Sequence, residues 1–287
     1  MCCKTTRRKE ARPRFQYCRT RWRGSYATEW SNISLCSIYS MQLNFHLTEW
    51  TGTQPFCDLD IITKPPILIP RWETEEWTFR LITLLTPHIL SRKSQTDSTI
   101  PCSHPSPFRI LDLCTGTGCI ALSLSSHLPP KSCFIDALDI SPLALSLSRL
   151  NLRTHSSRLH NPVRFHLADL TLPFTFPLRS YDLVVSNPPY IPPSEYALLA
   201  PDVALWEDPR ALVAGEKGTA FHRRIARLAA REMLREVEGE EGPPRVAMEI
   251  GGGHQVEIVA SALKEEGFGK VEVWKDGAKK ERCVIAW

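Results

Sequence analysis

The chain has 287 residues, 43% apolar and 23% charged, with 35 Lys and Arg against 31 Asp and Glu for a formal net charge of +4. This is a globular composition, long enough to bury one sizeable core, and it excludes a fibrous protein, a wholly disordered one and a disulfide-stapled mini-protein. No uninterrupted apolar stretch reaches the roughly 18 residues of a membrane span, and the ten scattered cysteines, without Cys-x-x-Cys or zinc-type His spacing, read as free thiols with no metal site.

The charge is lopsided. Residues 1–25 carry nine Lys or Arg against Glu10 alone, which leaves the remaining chain at about −4. An acidic body offers no footprint for a phosphate backbone, so direct nucleic-acid binding is not expected. The stretch Lys4–Arg23 lacks the apolar block of a secretory signal and resembles an organellar presequence, while a disordered basic arm has the same composition. Residues 31–50 keep no sustained period, and no element is predicted there.

The steps between Trp77, Leu81, Leu84, Leu85 and Ile89 predict an amphipathic helix over Thr74–Leu90, starting near Glu73 or Thr74. Ser91–Phe108 is rich in Ser, Thr and Pro and reads as a linker. Beyond it, strands are predicted at Arg109–Leu113, Cys133–Leu138, Val163–Leu167, Tyr181–Val185 and Arg245–Ile250. Helices are predicted at Cys119–Leu128, Ser141–Arg153, Gly218–Val237 and His254–Glu266. This alternation implies parallel βαβ units. Val271–Trp274 and Cys283–Ala286, joined by the polar turn Lys275–Arg282, read as a closing antiparallel hairpin. Nicotinamide-binding sheets more often keep parallel crossovers to the edge, so the hairpin favours a Rossmann-like methyltransferase sheet.

Two loops carry the chemistry. In Asp112-Leu113-Cys114-Thr115-Gly116-Thr117-Gly118, a strand end meets a Gly turn and then a helix start, where backbone can approach a ligand and free N–H groups can meet an anionic end. Asp139, at the end of the next strand, is placed to accept both hydroxyls of a ribose. Gly116, Gly118 and Ala121 also satisfy the dinucleotide pattern, so this loop alone does not choose between cofactors. The second loop, Asn187-Pro188-Pro189-Tyr190, follows a buried strand, and its prolines leave rigid carbonyls without ladder partners. The Asn187 side-chain oxygen and the Pro188 carbonyl can each accept one hydrogen of a planar NH₂ group and aim its nitrogen at an electrophilic methyl, with Tyr190 flanking the plane.

Together these loops resemble the amino-methyltransferases that use S-adenosylmethionine on planar NH₂ groups. Leu68-Ile69-Pro70-Arg71-Trp72-Glu73-Thr74-Glu75-Glu76 narrows the likeness to the HemK/PrmC family, which methylates the glutamine of the Gly-Gly-Gln motif in peptide-chain release factors. The resemblance runs from about Gly52 to Trp287 and includes Glu249-Ile250-Gly251, Gln255 and Asp276 to Arg282. It implies that Cys114, Thr115, Gly116, Thr117 and Gly118 cradle the methionine part of S-adenosylmethionine, that Asp139 takes the ribose, and that Asp169 and Leu170 border the adenine. It also implies that Asn187, Pro188, Pro189 and Tyr190 hold the glutamine, with Asn187 and Pro188 as the catalytic pair and Asn187 also meeting the cofactor. Cys114 stands where the family usually has Gly, and Leu170 where an aromatic is frequent.

The expectation is therefore an α/β chain in three parts. Residues 1–50 hold the basic presequence and a truncated or irregular N-terminal region, residues 51–106 the entry segment, helix and linker, and residues 107–287 the methyltransferase domain. The expected activity is S-adenosylmethionine-dependent methylation of a release factor, in a mitochondrion or otherwise in the cytoplasm, with no membrane partner. A nucleic-acid adenine amino-methyltransferase is the alternative, since a flipped base would meet Asn187 in the same way. Glu207 is given no role, His222 reads as a surface or partly buried packing residue, and His254 as a helix-start residue.

Overall fold

The computed structural model describes residues 52–94, 107–173, 176, 179–236 and 242–287. The basic head, the aperiodic stretch 31–50 and most of the Ser/Pro-rich linker lie outside the described residues. The described chain opens with β1 (Thr53–Phe56) and β2 (Leu59–Ile62), an antiparallel pair. Neither is predicted from the sequence, because each spans four residues and Pro55 interrupts the first. Helix α1 (Trp72–Ser94) follows, two residues longer at its start than predicted, with Glu73 and Glu75 in the first turn, where acidic groups meet the positive end of the helix.

The rest alternates as its periodicity predicts. Its strands and its helices of nine or more residues run in chain order β3 (Phe108–Leu113), α2 (Cys119–His127), β4 (Cys133–Asp139), α3 (Pro142–Thr154), β5 (Val163–Leu167), β6 (Leu183–Ser186), α4 (Ala220–Leu228), β7 (Val246–Glu249), α5 (Gly253–Glu265), β8 (Val271–Lys275) and β9 (Glu281–Ala286), with short helical turns between β6 and α4. The strands lie in the order β5-β4-β3-β6-β7-β9-β8. The first five are parallel, whereas β9 is antiparallel to both β7 and β8. This is the Rossmann-like sheet closed by a hairpin. Among the described residues no helix is long and apolar enough to cross a membrane.

The sheet is covered on both faces. Trp77, Leu81, Ile82, Leu85 and Ile89 of α1 are buried in one cluster with α2 and the β1–β2 hairpin, and full burial of each aliphatic side chain contributes roughly 1.5–3 kcal/mol. Helices α4 and α5 supply the other face, through Ile225, Leu228, Val259 and Leu263. The chain goes outward from β3 to β5, then returns to β6 on the other side of β3, which makes the carboxyl edge between β3 and β6 a topological switch point. The register pairs Leu113 with Leu138 on one side and with Ser186 on the other, and Ser186 with Met248. The next residues of those strands, Cys114, Asp139, Asn187 and Glu249, therefore leave the sheet side by side.

The helix predicted over Gly218–Val237 is shorter than expected, starting at Ala220 and changing its winding after Leu228. A left-handed turn with Glu216 and Lys217 at φ 52° and 59° precedes α4, and α4 runs into a π turn, Ala229–Met233. The late start of the helix has a tertiary cause. Gln255 Nε2 donates to the carbonyls of Tyr190 (2.8 Å) and Lys217 (3.2 Å), drawing this turn onto the Asn187–Tyr190 loop. At Gly218, φ is +83° and an added Cβ would lie 2.0 Å from the Tyr190 carbonyl oxygen, so only glycine fits. Gly218→Ala is expected to lower stability by about 2 kcal/mol or more, read as a reduced thermal midpoint against the parent protein.

Candidate functional site

The loop after β3 folds back through a series of left-handed residues. Cys114, Gly116 and Gly118 have φ of 59°, 56° and 84°. Cys114 thus occupies a conformation that favours glycine, which accounts for the residue usual at this position in the family it resembles. A Cβ on Gly118 would press on Phe165 and Ser148 at 3.1 Å, whereas one on Gly116 would meet nothing within 4 Å. The side of the loop at Gly116 is therefore the open one.

Two anchors hold this loop. Thr115 Oγ1 donates to Asp112 Oδ2 at 2.6 Å, and complete burial pushes the Asp112 carboxyl up to about 7 against the pull of that bond. The Gly116 N–H donates to Asp139 Oδ2 at 2.8 Å, and the Ser141 N–H donates to Asp139 Oδ1 at 2.8 Å. Burial raises the Asp139 pKa and these two donors oppose the rise. A carboxylate oxygen accepts more than one hydrogen, so both oxygens of Asp139 retain capacity for hydroxyl donors.

A cavity of about 280 Å³ opens against Asp139. Of the residues singled out from the sequence, Cys114, Gly116, Asp139, Asp169, Leu170, Asn187 and Pro189 line it; Thr115, Thr117, Gly118, Pro188 and Tyr190 do not. Thr115, Thr117 and Pro188 are buried. Leu138, Ile140, Ala168 and Leu170 give the wall an apolar section beside the carboxylate. A carboxylate with free acceptor capacity, an apolar flank for a ring and an open glycine backbone suit an adenosine with an attached polar chain, so the residues present fit S-adenosylmethionine.

The entry segment closes the cavity with Ile67 and Leu68. It is held by Glu207: Arg71 Nη2 donates to both carboxylate oxygens at 2.6 Å, and the Ile69 N–H donates to Oε1 at 3.2 Å. Burial raises the Glu207 pKa and Arg71 opposes it. Glu207 therefore has a definite place, as the latch of the segment, where the sequence assigns it none. Arg282 pairs with Glu73 at 3.2 Å and tethers the start of α1 to the closing hairpin.

Around Asn187 the polar groups form one chain. Ser186 Oγ donates to the Leu113 carbonyl (2.9 Å), tying the two loops at their roots. Asn187 Nδ2 donates to Thr74 Oγ1 at 3.2 Å, Thr74 Oγ1 donates to Glu249 Oε2 at 2.6 Å, and Trp77 Nε1 donates to the same oxygen at 2.7 Å. The Tyr190 hydroxyl lies 3.3 Å from Glu249 Oε1, so it faces this carboxylate and not the cavity. Asn187 Oδ1 accepts no hydrogen bond among the described residues, and Asn187 lines the cavity.

Glu249 is 1% exposed, and burial raises its pKa while Thr74 and Trp77 hold it down. His222 is fully buried, not at the surface: its Nε2 is 2.7 Å from the Glu249 carbonyl, and burial lowers its pKa to about 4. It is a neutral packing residue that fixes the end of β7. The sequence carries Glu249 in a recognisable motif without a function, and Thr74 and Trp77 only as helix residues. Their one local signal is a polar Thr and an indole N–H beside an apolar stripe.

Residues 99–204 match the family model described as the methyltransferase small domain. The chain is 29% identical to the probable MRF1 mitochondrial N(5)-glutamine methyltransferase mtq1 of Schizosaccharomyces pombe, over 88% of this chain and 78% of the relative. It is 32% identical to the release factor glutamine methyltransferase of Clostridium acetobutylicum, over 80% of this chain and 71% of the relative. Of two other relatives with names of this kind it spans 62% and 48% of the length. Among solved structures, the hMettl16 catalytic domain in complex with MAT2A 3′UTR hairpin 6 aligns with a TM-score of 0.53 and 16% identity, over 84% of this chain and 77% of that one. That likeness is one of fold.

Removing the Asp139 carboxylate deletes a charge-assisted pair of acceptors. A bond of this kind contributes roughly 1.5–3 kcal/mol, so Asp139→Ala is expected to weaken S-adenosylmethionine binding about ten- to a hundred-fold. Calorimetric titration of both proteins reads this directly, and equal affinities would remove Asp139 from the cofactor site.

Proposed function

The chain belongs to the release factor glutamine methyltransferases, and from this we propose that it transfers a methyl group from S-adenosylmethionine to the side-chain amide nitrogen of the glutamine in the Gly-Gly-Gln motif of a peptide-chain release factor. The observation that carries the reading is the acceptor Asn187 Oδ1, uncommitted at the wall of the cavity that Asp139 and the glycine loop also line. The adenine alternative is not favoured, because the curated relatives are named for glutamine.

S-adenosylmethionine supplies, when bound, a methyl group made electrophilic by the adjacent sulfonium. The chain's own task is to present a poor nucleophile, since the amide lone pair is delocalised into its carbonyl. Asn187 Oδ1 and the Pro188 carbonyl each accept one hydrogen of the glutamine NH₂, which fixes the direction of the nitrogen and favours a less conjugated geometry. The N–C bond would form as the sulfonium S–C bond breaks with its electron pair staying on sulfur, leaving a neutral thioether, and one N–H proton would leave to water. Pro188 and Pro189 lack N–H groups, so the loop cannot be drawn into the sheet ladder and its carbonyl stays available. Cys114, Gly116 and Asp139 hold the cofactor, with Asp169 and Leu170 beside its ring; Thr115, Thr117 and Gly118 shape the loop. Pro189 borders the glutamine, and Tyr190 supports the loop through Glu249.

In this reading residues 107–287 are the catalytic domain, and residues 52–94 complete its cavity. The site of action we propose is the mitochondrion: the nine basic residues in the first 25 suit a presequence, and the Schizosaccharomyces pombe relative is named as mitochondrial. A reporter fused to residues 1–40 is expected to collect in mitochondria, and a diffuse or nuclear signal would favour the basic-arm reading.

Asn187→Ala tests the amide mechanism. With purified release factor and labelled S-adenosylmethionine, transfer is expected to fall about a hundredfold or more, while cofactor affinity changes much less. Near-parental turnover would overturn the mechanism, and label retained on a release factor lacking the Gly-Gly-Gln glutamine would overturn the substrate.

A further inference from the structure

A carboxamide can turn over about its last bond and exchange its oxygen for its NH₂ with little change in shape. At Asn187 the two states differ in function. With Oδ1 toward the cavity the side chain accepts a substrate hydrogen; with Nδ2 there it confronts the substrate NH₂ with two more donors. Something must therefore choose the state.

We propose that Thr74 is the positioning residue that locks the Asn187 carboxamide with its oxygen toward the substrate, and that Glu249 and Trp77 set the direction of the Thr74 hydroxyl. The proposal rests on the amide-transfer reading above for its consequence in catalysis, but its geometry does not depend on the substrate. Trp77 Nε1–H is a donor and nothing else, and at 2.7 Å it fixes Glu249 Oε2 as an acceptor. The Thr74 hydroxyl, 2.6 Å from the same oxygen, spends its single hydrogen there. What Thr74 Oγ1 then offers Asn187 at 3.2 Å is a lone pair. Only the NH₂ end of the carboxamide can use it, and the oxygen is left facing the cavity. The turned-over state would set Oδ1 against an oxygen with no hydrogen left, in a place where Thr74 is 2% exposed and Glu249 1% exposed, so no solvent can relieve the clash. The Thr78 hydroxyl donates to the Thr74 backbone carbonyl at 2.7 Å, which keeps the first turn of α1 in place.

The test compares Thr74→Val, which removes the hydroxyl at nearly constant volume, with Thr74→Ser, which keeps it. On release factor, Thr74→Val is expected to lower kcat about tenfold or more with the dissociation constant of S-adenosylmethionine unchanged within about twofold, and Thr74→Ser to restore most of the rate. A purely structural role would move stability and cofactor affinity together and would not single out the hydroxyl. Thr74→Cys, whose thiol is a weak hydrogen-bonding group, gives the same comparison if the valine variant does not fold. A second measurement is independent of the substrate. The side-chain ¹⁵N–¹H₂ signal of Asn187, identified by its loss in Asn187→Ala, is expected to exchange with water slowly in the parent and in Thr74→Ser and faster in Thr74→Val or Thr74→Cys. Unchanged exchange, or unchanged kcat in an active protein, overturns the positioning role. A parent that methylates no release factor would overturn the proposed function alone, and the exchange rates would still decide the inference.

Discussion

A carboxylate buried to 1% exposure has to be surrounded by donors, and the donors that Glu249 finds decide how the site is assembled. Two come from the first turns of α1, as Thr74 and Trp77, and a third comes from the loop after β6, as the Tyr190 hydroxyl. The backbone carbonyl of the same residue is met by the His222 ring from α4. One acid at the end of β7 thus collects the entry helix, the Asn187–Tyr190 loop and a covering helix around a single point. Exchanging it for an apolar residue would leave the indole N–H and the threonine hydroxyl of α1 facing a dry interior.

The parallel register does the remaining alignment. Because Leu113, Leu138, Ser186 and Met248 are neighbours across β4, β3, β6 and β7, their successors emerge in one row. Asp139 and the glycine loop fall on one side of the switch point and Asn187 and Glu249 on the other. A cofactor and a second reactant can then be held by different loops and still meet, as open α/β sheets generally allow at this edge. The antiparallel β9 matters here too: Glu249 pairs with Cys283, which brings the hairpin and Arg282 against the start of α1.

The entry segment is more than a connection to the sheet. Ile67 and Leu68 form part of the cavity wall, Arg71 is forked onto Glu207, Glu73 is paired with Arg282, and Thr74 reaches both Glu249 and Asn187. Each contact joins it to a different part of the chain that carries the seven-stranded sheet. A sheet with the same two loops and without this segment would keep Asp139 and the Asn187 loop, but it would lose one wall and the partner of the Asn187 NH₂.

The sequence by itself determined the alternation of strands and helices, the closing hairpin and the two site loops. Each is written in consecutive residues with strong local preferences: β-branched and aliphatic runs, glycines where φ is positive, and the Pro188-Pro189 pair that cannot join a ladder. It also placed α1 through Trp77, Leu81, Leu85 and Ile89, whose spacing is the period of the face they bury. Only the tertiary structure decided that the helix expected from Gly218 starts at Ala220, because the left-handed turn before it is drawn against Tyr190, 28 positions from Gly218 in the chain. The same holds for the polar chain behind Asn187. Thr74 and Trp77 meet Glu249 across separations of 175 and 172 residues, and no local pattern records which threonine or indole a buried acid will find once the helix that carries them has docked.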